Sequence, residues 1–222
     1  MDNLILSSAT VGIVISLLSY EVGLAAQRKW KLAILNPLLI SIALVIVFLV
    51  VFHVDYDSFN MSAKYLSYLL TPATVSLAIP LYLQLDLLKK NIGAILGGVI
   101  AGVIASLGTV LAMSVVFGLS HKEYVTMLPK SITTAIGMGV SEELGGYVTI
   151  SVAVIIITGV LGNMSAEFVC KLFHIKSPIS RGLAIGTASH AVGTARAMEL
   201  GEVEGAMSSL AIVVCGLCTV IG

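Results

Sequence analysis

Charge is scarce in this sequence: 11% of its 222 residues are Asp, Glu, Lys or Arg, against 58% hydrophobic ones. The twelve basic and twelve acidic side chains cancel at pH 7, so the basic footprint that a nucleic-acid partner would need is missing. Cysteine is scarce as well. Cys170, Cys215 and Cys218 lie in or at the ends of apolar segments, without a paired framework and without His or Asp at ligand spacing. They read as packing thiols, and neither a metal nor a cofactor is expected. The four histidines are scattered, and no nucleophile, general base and orienting acid form a set, so an enzyme is not expected either.

What the chain has instead is long apolar runs, with a mean hydropathy of +1.05. Several approach the ~20 residues that span a bilayer, which predicts an all-α, polytopic membrane protein with about seven to eight transmembrane or re-entrant segments. The first two spans are expected over residues 4–26 and 36–52. The first is too long and too evenly apolar for a signal peptide. It is stopped by Gln27-Arg28-Lys29-Trp30-Lys31, a basic cluster with an interfacial Trp that belongs in the cytoplasm, while the acidic exit at His53 to Asp57 faces outward. The fourth span carries Gly98, Gly102 and Ser106 at four-residue spacing, a small-residue stripe suited to close helix packing, inside one subunit or between the two of a homodimer. The last segments are expected over 182–200 and 206–222.

One stretch breaks the pattern. Thr71-Pro72-Ala73-Thr74-Val75-Ser76-Leu77-Ala78-Ile79-Pro80 places hydroxyls and two prolines inside an apolar segment. Proline removes backbone donors, and non-helical backbone at membrane depth is tolerated only beside protein or a water-filled cavity. The stretch therefore reads as a discontinuous helix beside a polar cavity. It has an echo: Pro72 to Ile79 laid over Pro129-Lys130-Ser131-Ile132-Thr133-Thr134-Ala135-Ile136 matches proline with proline, hydroxyl with hydroxyl twice and Ala-Ile with Ala-Ile. The alignment suggests an internal repeat with halves over 64–118 and 121–173. Paired broken segments point to a transporter's binding site, where half-helix N-termini offer N–H groups to an anion; two proline kinks kept for packing are the alternative. The second motif, glycine-rich and ending in Ser141-Glu142-Glu143, either re-enters the membrane or spans it.

The segment Arg181 to Glu202 carries the densest chemistry. If it is one helix, Thr187, His190 and Thr194 share a face, with Ser189 beside them. His190 has three readings open: an anion contact, a proton relay, or a hydrogen bond to a neighbouring helix. Arg196 and Glu199, three apart, read as an ion pair near the membrane boundary.

Three motifs in order, Thr-Pro-Ala-Thr-Val with Ile-Pro-Leu-Tyr (71–75, 79–82), Leu-Pro-Lys-Ser-Ile-Thr-Thr-Ala-Ile (128–136) and Arg-Gly-Leu-Ala-Ile-Gly-Thr-Ala-Ser-His-Ala-Val-Gly-Thr-Ala (181–195), resemble the LrgB/CidB family over essentially the whole chain. The resemblance implies a single LrgB-like transmembrane domain over 1–222, multi-pass in a bacterial inner membrane and often accompanied by a small holin-like partner of the LrgA/CidA type. It implies two functions that need not exclude each other: carriage of small monocarboxylates such as pyruvate or glycolate, and antiholin-like restraint of murein hydrolase activity and cell lysis. For a carrier, the expected binding residues are Pro72, Thr74, Ser76, Pro129, Lys130, Ser131, Thr133, Thr134, Thr187, Ser189, His190 and Thr194, with Glu142, Glu143 or His190 coupling transport to a proton. Burying a carboxylate is costly without such partners.

Overall fold

The computed structural model describes residues 10–30, 35–76 and 78–221. The described chain is helical, without a strand, and three of its helices are long and apolar enough to cross a membrane. It divides into two compact units, residues 1–76 and 77–222.

In the first unit, α1 (Val11–Trp30) runs past the expected end at residue 26 and takes the basic cluster into its last turn, where Arg28 and Lys29 complement the negative end of the helix dipole. The Lys29 ammonium lies 5.0 Å from the Trp30 ring centroid. The expected start of that span, residues 4–9, lies outside the described residues. α2 (Pro37–Val51) opens on a cap legible in the sequence. Asn36 Oδ1 accepts from the N–H groups of Leu38 and Leu39 at 2.9 and 3.3 Å, and Pro37, which has no N–H, starts the helix. α3 (Tyr56–Ala63) begins in the same way on Asp55. α1 touches both neighbours through glycine: a Cβ on Gly23 would lie 2.6 Å from the Pro37 carbonyl oxygen, and one on Gly12 2.6 Å from that of Phe59.

The expected interruption near Pro72 lies on its N-terminal side. Residues Lys64–Leu69 form a 3-10 stretch, and α4 (Leu70–Ser76) starts after it. Pro72 sits in the first turn of α4, where a backbone N–H would have no helical partner, so its ring is tolerated there. Leu77 of the same motif lies outside the described residues.

The second unit contains α5 (Ala78–Leu83), α6 (Leu85–Lys90), α7 (Ile92–Phe117), α8 (His121–Met127), α9 (Thr134–Glu143), α10 (Val148–Leu172), α11 (Pro178–Leu200) and α12 (Glu202–Ile221). α12 is its centre. Of the most apolar stretch of α12, 61% is buried, against 22% in each of α7 and α10. Glu202 and Glu204 lie in the first turn of α12, where carboxylates complement the positive helix end. Ile95, Val99 and Val103 of α7 and Leu183 of α11 meet Ala206, Met207, Ala211 and Cys215 of α12. In a bilayer the lipid tails are as apolar as these side chains, so such contacts hold by close packing more than by escape from water. Gly186 shows how close: a Cβ there would come within 2.5 Å of the Ser208 carbonyl oxygen.

Two turns shape the path between α7 and α10. α7 ends at Gly118, left-handed at φ 64°, with the Leu119 N–H on the Ser114 carbonyl at 2.9 Å. Ser120 and Glu123 then form a capping box that starts α8. α9 ends at Gly145, φ 78°, and the Gly146 N–H reaches the Ser141 carbonyl at 2.7 Å. A hydroxyl chain ties α8, α9 and the start of α10 together: Tyr147 N–H donates to Thr126 Oγ1, and Ser151 Oγ reaches both the Thr126 carbonyl and Ser141 Oγ, each at 2.7 Å.

Candidate anion site and a broken helix

The second proline motif is a turn. Pro129 is fully buried between α8 and α9, and the turn points Lys130 and Ser131 towards α7. Lys130 Nζ donates to Ser131 Oγ at 2.9 Å and to Ser106 Oγ at 3.2 Å, and the two hydroxyls lie 3.0 Å apart. An ammonium has three N–H donors, so one remains. Among the described residues, no carboxylate lies within ion-pair distance of Lys130.

These three side chains form one end of an open cavity of about 560 Å³ between α7 and α11. Its walls are small: Gly98, Gly102 and Ala105 on α7 face Ala184, Thr187 and Ala188 on α11. The stripe of Gly98, Gly102 and Ser106 thus packs within the unit. A Cβ on Gly102 would lie 3.1 Å from Thr187 Cβ, and one on Gly98 would lie 3.5 Å from Leu183 Cδ1. Four residues on each helix separate the two contacts, so α7 and this part of α11 run parallel.

α11 is not one helix. His190 has φ 43° and ψ −141°, a conformation outside the helical region, and divides α11 into 178–189 and 191–200. The expected common face of Thr187, His190 and Thr194 therefore does not form, because the backbone turns at its middle residue. Neighbours satisfy the break. His190 Nε2 lies 3.0 Å from the Ile155 carbonyl of α10, to which the ring N–H donates. Thr194 Oγ1 donates to the His190 carbonyl at 2.9 Å and lies 2.7 Å from Ser208 Oγ, and Asn163 Nδ2 donates to the Val192 carbonyl at 2.8 Å. α10 gives way where it crosses: Gly159 lies under the imidazole, where a Cβ would be 2.7 Å from Nε2, and Gly162 lies against Ser189. Such a backbone conformation costs on the order of 1–3 kcal/mol outside glycine and persists where surrounding contacts hold it.

The expected binding residues thus fall into separate places. Lys130, Ser131 and Thr187 line the cavity. Thr187 nevertheless donates its own proton to the Leu183 carbonyl at 2.7 Å. Thr133 and Thr134 stand at the start of α9, and Thr133 makes no side-chain cap there. Ser189, His190 and Thr194 are buried at the break, with Ser189 on a smaller recess beside Cys170 and Ser165. Glu142 and Glu143 are exposed at the end of α9. Pro72, Thr74 and Ser76 belong to the first unit, where Ser76 Oγ donates to the Pro72 carbonyl at 2.8 Å; the side chain of Thr74 lies outside the described part.

Sequence reasoning missed two participants. Ser106 reads as a packing residue because it closes a small-residue stripe, and its hydroxyl signals chemistry only once Lys130 is beside it. The expected Arg196–Glu199 pair is present, and Arg196 also pairs with Glu167 of α10, which in turn meets Lys171 at 3.4 Å. All three cysteines are free thiols.

The LrgB-like family matches residues 16–222. The chain belongs to that family. It is 39% identical over 211 residues to the antiholin-like protein LrgB of Bacillus mycoides (strain KBAB4), covering 95% of this chain and 92% of that one. The same identity and coverage hold for the antiholin-like proteins LrgB of Bacillus cereus (strain B4264) and Bacillus anthracis (strain CDC 684 / NRRL 3495). No solved structure matches the chain.

Proposed function

We propose that this LrgB-family membrane protein is an antiholin-like regulator that restrains murein hydrolase activity and cell lysis. The observation that carries this reading is the 39% identity, along 95% of the chain, to proteins named antiholin-like. A multi-pass position in the bacterial inner membrane and a small holin-like partner of the LrgA/CidA type belong to the proposal. Its test is autolysis of the host after removal of this chain. Faster lysis with raised murein hydrolase activity, reversed by complementation, is expected; unchanged lysis and hydrolase activity overturn the reading.

A second reading is favoured by one specific observation, a cation at the wall of the cavity with no carboxylate among the described residues within ion-pair distance. In it the protein carries small monocarboxylates such as pyruvate or glycolate. The carboxylate exchanges its hydration shell for the Lys130 ammonium and the Ser131 hydroxyl, because an anion in a low-dielectric site needs both charge and hydrogen bonds. The repeat over 64–118 and 121–173, the seven to eight segments, the remaining hydroxyls of the proline motifs and proton coupling through Glu142, Glu143 or His190 belong to this reading. Uptake of labelled pyruvate or glycolate by proteoliposomes tests it, with and without the small partner. Saturable uptake is expected, and its absence in both preparations removes the carrier and leaves the regulator.

A further inference from the structure

Resting on the carrier reading, we infer that the cavity selects monocarboxylates with an unbranched alkyl tail longer than that of pyruvate or glycolate, and that Gly98 sets the tail length. The cavity has two unlike ends. At one, Lys130, Ser106 and Ser131 gather a positive charge and two hydroxyls. From Ser106 the lining continues along α7 through Gly102 and Gly98 to Ala94, twelve residues, or about 18 Å at the helical rise. Across from them stand Leu183, Ala184, Thr187 and Ala188, and Ser180 adds one hydroxyl to an otherwise apolar stretch. A two- or three-carbon acid held at Lys130 leaves most of the 560 Å³ unfilled, whereas cavities of ~300–1,000 Å³ ordinarily bury ligands of many heavy atoms. A carboxylate head with an alkyl tail matches both ends. The head takes the spare N–H of Lys130 and the one hydroxyl proton that the Ser106–Ser131 bond leaves over, and the tail lies over the glycine floor, which a branched or doubly charged acid could not share.

The geometry supplies a matched pair of variants. A Cβ on Gly98 meets Leu183 Cδ1 at 3.5 Å, an ordinary contact, so a side chain there narrows the cavity without unseating a helix. Gly97, its neighbour on α7, faces open space. The experiment is calorimetric titration of the purified full chain with acetate, butanoate, hexanoate and octanoate, on the parent and on Gly98→Val, Gly97→Val and Lys130→Met. The parent and Gly97→Val bind about threefold to fourfold tighter for each added methylene, the transfer of one CH₂ out of water. Gly98→Val binds acetate as the parent does but loses that gain for the longer acids, and Lys130→Met loses binding at every length. Partition into detergent would give all variants the same length dependence, so a Gly98→Val profile identical to the parent's overturns the inference while leaving a Lys130-dependent site intact. If no acid of any length binds the parent, the carrier reading falls with it.

Discussion

Two polar places in the second unit resolve their polarity in opposite ways. At His190 the broken backbone and the imidazole are answered from inside the protein by the Ile155 carbonyl, Asn163, Thr194 and Ser208. At Lys130 the answer stops short: two serines accept from the ammonium, no carboxylate among the described residues lies within ion-pair distance, and a cavity opens beside it. A closed network specifies how helices cross, whereas an open one is available to a ligand. Residue type alone would rank them the other way, since a histidine among threonines looks more like a site than a lysine in a proline turn.

The comparison breaks first at Lys130. Lys130→Met removes the charge at nearly constant length, and a hydrogen bond to a charged group contributes ~1.5–3 kcal/mol, so carboxylate binding or proteoliposome uptake falls about tenfold to a hundredfold. Thermal stability in detergent changes little, because Ser106 and Ser131 still bond each other. Wild-type uptake by the variant would show that the open network is structural too. The same variant separates the two proposed functions: restraint of lysis that survives the loss of uptake belongs to regulation alone.

At the closed network the largest effect is on stability. Gly159→Ala places a methyl 2.6–2.7 Å from the His190 ring, and forcing an extra carbon into such a contact destabilises by about 1–3 kcal/mol. A lowered thermal midpoint with altered packing is expected; an unchanged midpoint would mean that the crossing of α10 and α11 is loose.

Much of this architecture is written in the sequence, and the exceptions have physical causes. Asn36-Pro37 announces the start of α2, because a cap and a first-turn proline are local chemistry. Lys130, Ser131 and Thr187 were reachable because a charge and hydroxyls in apolar surroundings need a polar environment wherever they fold. The break at His190 was not reachable. No proline or glycine occupies that position, and what holds it comes from Ile155 and Asn163, far away in the chain. The pairing of Arg196 with Glu167 is illegible for the same reason, since a contact between α10 and α11 leaves no trace in local spacing. At Pro72 the sequence marks an interruption but not its side: a proline marks the first turn of a helix as readily as the end of the preceding one.

A finer test concerns the strain at His190. In an ordinary helix interior alanine is better than glycine by about 1 kcal/mol. At φ 43° and ψ −141° that order reverses, because only glycine adopts this conformation without steric conflict. His190→Ala keeps the strain and loses the bond to Ile155, whereas His190→Gly loses the bond and sheds the strain. Chemical or thermal unfolding therefore ranks the His190→Gly variant above the His190→Ala variant by about 1–2 kcal/mol. The usual order would show that the two halves of α11 straighten into one helix once the imidazole is gone.

The smallest expected effect lies away from both places, at the cap of α8, and calibrates them. Ser120 Oγ and the Ser120 N–H both donate to Glu123 Oε2 at 2.7 Å, which holds the Glu123 carboxyl below its usual range. A carboxyl whose value is depressed on folding adds stability above its unfolded value, and that stability is lost as pH falls through the folded one. Ser120→Ala therefore lowers the thermal midpoint slightly at neutral pH, and the gap from the parent narrows on acidification below the ordinary carboxylate range. The group is fully exposed, so solvent and salt screen it and the difference shrinks further at high ionic strength. An effect here as large as that of Gly159→Ala would mean that the short connections, and not the crossing beneath His190, govern the stability of the second unit.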